Sequence, residues 1–143
     1  MAIPATKVRK VGGVENVDID TLRNKWTLYL DDAADDKQEF AVTFRGHAPD
    51  AVLMSYDSWE YSRKEGARRD SVLAVDESQY VTLSSDQARA QLRDRREAAR
   101  RGHHTVITRY RKPVAALAPL EWFEAVQKLL KAGASGSNTA GQS

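Results

Sequence analysis

Cysteine is absent from the 143 residues, which removes disulfide frameworks, thiol nucleophiles and thiolate zinc sites together and suits a reducing compartment. Stability has to come from packing. Long apolar runs are missing as well. No stretch approaches the roughly 18 consecutive apolar residues of a membrane span, and the opening Met-Ala-Ile-Pro-Ala has neither the basic start nor the apolar centre of a secretory signal. A cytoplasmic protein is expected. Histidine is scarce, with only His47, His103 and His104. Adjacent strand residues point to opposite faces, which is wrong for a shared metal, so a structural or surface role is expected for these three. Asp31, Asp32, Asp35 and Asp36 lack the glycine and glutamate spacing of a calcium loop and read as a solvated acidic face. Neither a metal nor another cofactor is expected.

What the chain does have is an uneven distribution of charge. Its net charge is only +2, but residues 14–65 hold six basic against twelve acidic side chains, a net of −6, whereas residues 76–130 hold ten against seven, a net of +3. Within the second half, residues 89–112 contain nine basic side chains opposed only by Asp94 and Glu97. Cationic density of that order points to a polyanionic partner.

A pattern is also stated twice. The first copy begins VDIDTLRNKW at Val17 and the second LSSDQARAQL at Leu83. With two one-residue slips, Val17 aligns with Leu83, Arg23 with Arg89, Trp26 with Leu92, Thr43 with Thr108, Pro49 with Pro113, Leu53 with Leu117 and Trp59 with Phe123. Each copy starts with a short apolar strand (16–17 and 80–83) that ends on a helix-start signal. Ser84 with Gln87 three positions later is a capping-box arrangement, and Asp18 can cap the first copy. Residues 20–34 place Leu22, Trp26, Tyr29, Leu30 and Ala33 on one helical face. The matching face of the second helix is thin, with Ala88, Leu92 and Ala99, and Arg95 and Arg96 stand where the first copy has Tyr29 and Leu30. Strands at 40–44 and 51–54, and again at 105–110 and 114–118, read as hairpins. Final helices start near Tyr56 and near Leu120, the latter favoured by Pro119. Each copy therefore reads β-α-β-β-α, an α/β (α+β) unit.

The expected organisation is a mobile basic arm over 1–13, an acidic module over 14–65, a joint over 66–75 that reads as linker or continued helix, a basic module over 76–131, and a disordered tail over 132–143. The three tryptophans, Trp26, Trp59 and Trp122, lie with Phe123 on apolar helix faces and are expected in the core. Ser84 and Ser85 have no neighbouring base with an orienting acid, so capping is expected of them and not nucleophilic attack.

The segment ARAQL after Ser-Ser-Asp, followed by HHTVITRYRKPVAALAPLEWFE, resembles the prevent-host-death (Phd/YefM) antitoxins. Their pattern is an Ala-Arg-x-x-Leu helix, a Val-Ile-Thr-Arg strand, a Lys-Pro-Val-Ala strand and a Pro-Leu-Glu-aromatic helix. The first copy carries LRNKW, VTFRGHAPDAVLM and SYDSWEY at the corresponding places. The resemblance implies two tandem Phd-like modules forming an intrachain pseudo-dimer with a joined sheet, which raises the effective concentration of each half for the other. It implies a sequence-specific DNA-binding transcriptional regulator, an antitoxin-like repressor without catalytic activity. A double-stranded operator is its implied partner and a cognate toxin a second one. By position, Arg89, Arg109 and Arg111 of the second copy and Arg23 and Arg45 of the first would face DNA, with Arg93 and Lys112 beside them in the basic cluster. Arginine suits the task because its planar fork pairs with guanine or phosphate. The tail lacks the apolar anchors with which such antitoxins fold onto their toxin, so neutralisation by that route is not expected. The alternative is a protein-binding antitoxin module that neutralises a toxin without binding DNA. Exchange of modules between chains would make a homodimer.

Overall fold

The computed structural model describes residues 14–140, so the basic arm expected over 1–13 lies outside the described residues, as do positions 141–143. Six strands form one sheet: β1 (Glu15–Asp18), β2 (Phe40–Thr43), β3 (Ala51–Ser55), β4 (Tyr80–Ser84), β5 (His104–Arg109) and β6 (Lys112–Pro119). Their order is β1-β2-β3-β6-β5-β4. Both outer pairs are parallel and the three inner pairs antiparallel, so the sheet reads the same from either edge. The two halves of the chain meet at β3 and β6, where Leu53 lies opposite Leu117. These are residues aligned in the sequence repeat, and a residue facing its own equivalent marks the axis of a two-fold-like junction, with Ala51 opposite Pro119 and Ser55 opposite Ala115 on either side.

Six helices accompany the sheet: α1 (Ile19–Asn24), α2 (Trp26–Asp36), α3 (Tyr56–Arg69), α4 (Ser85–Ala90), α5 (Leu92–Arg100) and α6 (Leu120–Ala140). The caps are those the sequence calls for. Asp18 accepts from the Asp20 N–H at the start of α1, and Ser84 and Gln87 close a capping box at α4. Each single helix expected after β1 and β4 is instead two segments, broken at Lys25 and at Gln91. The break is a bend. Lys25 N–H still donates to Thr21 O at 2.9 Å and Tyr29 N–H to Lys25 O at 3.1 Å, and Gln91 and Arg95 repeat the pattern. Bending lets α1 touch α5 of the other half while α2 lies over β3 and β6.

The central strands are apolar on both faces because helices cover both faces. On one side Ala51, Leu53, Ala115 and Leu117 meet Leu22, Trp26, Leu30, Ala88 and Leu92 from α1, α2, α4 and α5. On the other, Val52, Met54, Ala116 and Ala118 meet Trp59, Trp122, Phe123 and Val126 from α3 and α6. Each core draws residues from both halves, at about 1.5–3 kcal/mol for each large apolar side chain fully buried. Segment 66–75 is built into this second layer. Helix α3 runs through it to Arg69, and a 3-10 turn (Ser71–Leu73) leads to the buried Val75. At Gly66 a Cβ would stand 3.0 Å from Val126 Cγ2, so glycine permits the close approach of α3 and α6. Helix α6 continues to Ala140, over most of the stretch for which disorder was expected, with no proline to stop it. No described helix is long and apolar enough to cross a membrane.

Candidate nucleic-acid interface

The face carrying α1, α2, α4 and α5 receives most of the arginines singled out from the sequence. Arg23 ends α1 and Arg89 lies in the last turn of α4. They meet across the junction between the halves: Arg89 Nε donates to the Arg23 carbonyl at 3.0 Å. Beside them Trp26 Nε1 donates to Ser85 Oγ at 2.8 Å, a second bond between the halves. Arg23 also pairs with Asp20 at 3.4 Å, and Arg89 is exposed. The bent helices therefore bring the Arg89 guanidinium onto the backbone of Arg23, a residue 66 positions away in the chain.

A second group forms at the tip of the first hairpin, around the half-buried Phe44 ring. The guanidinium of Arg45 lies 5.0 Å from the ring centroid, that of Arg93 5.2 Å and that of Arg96 4.5 Å. Arg45 comes from the first half, Arg93 and Arg96 from the second. Arg45 has a φ of 52°, and its backbone N–H is held by Asp18 Oδ1 at 3.2 Å. The faces of aromatic rings are negative, which allows cations to gather there.

Arg96 departs from expectation. It belongs to the basic run 89–112 whose cationic density pointed to a polyanionic partner, but it is buried, with Nη1 2.6 Å from Asp50 Oδ2. The reason is its register: it occupies the core-facing position that Leu30 fills in the first half, and the Asp50 carboxylate from the first hairpin, with Glu97 at 3.5 Å, makes its burial tolerable. Arg95 is likewise engaged, donating from Nε to Thr105 Oγ1 at 2.9 Å.

The remaining candidates lie at the opposite end of the sheet. Register places Ser55 against Ala115 and Ala51 against Pro119, so the turn before Lys112 and the turn before Ala51 project from opposite ends. Arg109, at the end of β5, has Nη2 2.7 Å from Asp31 Oδ1 of α2. This is an ion contact and not an aligned hydrogen bond. Asp31 was expected to be solvated, and nothing in the sequence links it to Arg109. Arg111 and Lys112 are exposed, and among the described residues neither forms an ion pair. The seven candidates thus fall into a central pair, Arg23 and Arg89, and two terminal groups, Arg45 with Arg93 and Arg109 with Arg111 and Lys112.

Away from this face, His104 is buried at the start of β5. Trp59 Nε1 donates to its Nδ1 at 2.9 Å, and the Trp122 ring stands edge-on at 4.6 Å. Burial, helped by the nearby His103 and Arg63, pushes its pKa down to about 3. His104 is therefore neutral at pH 7, and with Nδ1 accepting, its proton is assigned to Nε2. His47 and His103 are exposed. Compared with family models, curated proteins and solved structures, the chain gives no match.

Proposed function

We propose that this chain is a DNA-binding transcriptional regulator of the antitoxin-like repressor class, in which two Phd-like modules act as an intrachain pseudo-dimer. The observation that carries the reading is the meeting of Arg23 and Arg89, one from each half, at the junction of the paired first helices. Duplex DNA has two-fold symmetry at the level of its backbone, and a reader with paired elements about one axis matches it. The terminal groups extend the same layout. Arg45 with Arg93 would reach phosphates on one side of the centre, and Arg111 with Lys112 on the other, since phosphate contacts fix register before bases are read.

Sequence resemblance supplies the class, and the charge asymmetry supports it: the basic residues gather in the second half, most of them on helices and turns that face solvent. The deciding experiment is the binding of the whole chain to a random-sequence duplex over a salt series. Tight binding at low salt that weakens log-linearly as salt rises is the expected result, because each neutralised phosphate releases counterions. Absence of binding at low salt would overturn the reading and put the toxin-binding alternative in its place.

A further inference from the structure

The tip of the second hairpin is built from the wrong residues for stability. Lys112 pairs with Arg109, so Tyr110 and Arg111 are the two central residues of a two-residue turn. Both lie in the left-handed region, at φ 52° and 67°. Turns of this kind require positive φ at both positions and are ordinarily made by Asn-Gly or Asp-Gly. A side chain there brings Cβ against the following carbonyl oxygen, a cost that glycine avoids. The first hairpin has Gly46, at φ 79°, where the second has an arginine.

Among the described residues no ion pair, side-chain hydrogen bond or ring contact of Tyr110 or Arg111 offsets this strain. Tyr110 is 91% exposed, the highest value among the exposed large hydrophobic side chains. Among the described residues its ring touches no other ring and its hydroxyl forms no hydrogen bond. Beside it in the chain stand Arg111 and Lys112, both exposed, and Arg109, which Asp31 holds at 2.7 Å. Backbone strain retained at an exposed tip is a mark of function. An aromatic ring beside two exposed cations, Arg111 and Lys112, fits a partner that offers both anions and aromatic faces, and nucleic acid offers both.

We propose that Tyr110 is the base-contacting residue of the DNA interface, its ring stacking on a base while Arg111 and Lys112 hold the flanking phosphates. This rests on the reading of the chain as a DNA-binding protein. A two-stranded ribbon is narrow enough to enter a groove, and aromatic side chains at such tips open a base step at modest cost.

The test compares the full chain with its Tyr110→Asn and Tyr110→Phe variants on one labelled random-sequence duplex, alongside thermal unfolding of each protein. Tyr110→Asn suits the turn and removes no charge. Its melting temperature is expected to equal or exceed that of the unaltered chain, its salt slope to be unchanged, and its affinity to fall about tenfold. Tyr110→Phe is expected to bind within about threefold of the unaltered chain, since the ring remains. Photocrosslinking to duplex containing 5-iodouracil is expected to map to Tyr110. Undiminished affinity of Tyr110→Asn, with the unaltered chain binding normally, would overturn the role of Tyr110 and leave the DNA reading standing. Failure of the unaltered chain to bind would overturn both.

Discussion

At corresponding positions after the bend in each half, the first presents Trp26, Leu30 and Ala33 to the sheet, and the second presents Leu92, Arg96 and Ala99. One large ring becomes a smaller side chain, one leucine becomes an arginine, and the alanine is kept. The first helix pair presents only apolar side chains to the sheet at these positions. The second buries a guanidinium that needs Asp50, a residue of the first half, 2.6 Å away. The hairpin tips differ in the same direction, with Arg45-Gly46 in one and Tyr110-Arg111 in the other. The first half is thus made for stability. The second has exchanged part of its own stability for cationic and aromatic surface and depends on its neighbour for the remainder.

If that division holds, damage to the first half should unfold everything. Trp26→Ala removes a buried ring and its bond to Ser85, and is expected to cost about 3–5 kcal/mol by denaturant unfolding. Leu92→Ala, at the matching position, is expected to cost about 2–5 kcal/mol. Because both side chains belong to one core, each protein is expected to unfold in a single transition. Two separated transitions would break the comparison, since the halves would then be independent.

Acid should reveal the second half's dependence next. His104 in β5 has its pKa lowered by burial to about 3, against about 6.5 in an unfolded chain. The unfolded state therefore binds more protons between these values, and stability falls as pH drops below about 6.5. At pH 5 the loss from this group is expected to be about 2 kcal/mol, rising as pH approaches 3. His104→Gln leaves an acceptor for Trp59 Nε1 and removes the titration. Its stability should vary less between pH 7 and pH 5, whatever its absolute value, and an unchanged pH slope would refute the assignment.

Smaller in effect is the inequality that the proposed DNA binding implies. Arg89→Ala is expected to cost about 1–3 kcal/mol of binding if the side chain reaches a base edge. Arg23→Ala should cost less, because Arg23 already pairs with Asp20 and stands in the acidic half. Mobility shifts of the two proteins over a salt series measure the difference, and equal losses would remove the asymmetry.

Much of this arrangement was legible before any coordinates. Short apolar runs bounded by turn residues, the Ser84–Gln87 box and the aligned leucines at 53 and 117 located the strands, a helix start and the equivalent positions, because local hydrogen bonding and composition are written residue by residue. The bends at Lys25 and Gln91 were not legible, since neither residue is a helix breaker and the reason lies in the partners each segment meets. The burial of Arg96 was not legible for a related reason. Helical spacing put it on the inner face, but whether an arginine there is buried depends on an acid 46 residues away. Pairings such as Asp31 with Arg109 and Trp59 with His104 are set by the tertiary fold and leave no local signal.

Asp31 offers the gentlest test of the contrast between halves. It belongs to the acidic half, yet it occupies Arg109 of the basic half at 2.7 Å, with both side chains partly exposed. Pairs at such exposure contribute about 0–1 kcal/mol to stability, so Asp31→Asn should leave unfolding nearly unchanged. Its effect on DNA should have the opposite sign to every other substitution considered. Neutralising Asp31 removes a charge that repels phosphate and releases a guanidinium at the foot of the Tyr110 turn. Affinity for a random duplex at low salt is expected to rise about threefold, and the salt slope to steepen by up to about one unit. Arg109→Ala on its own should then weaken binding only slightly, because the paired guanidinium contributes little while Asp31 holds it. A fall in affinity for Asp31→Asn would mean that the acid positions Arg109 for its contact, and the first half would have to be counted as part of the reading surface as well as its support.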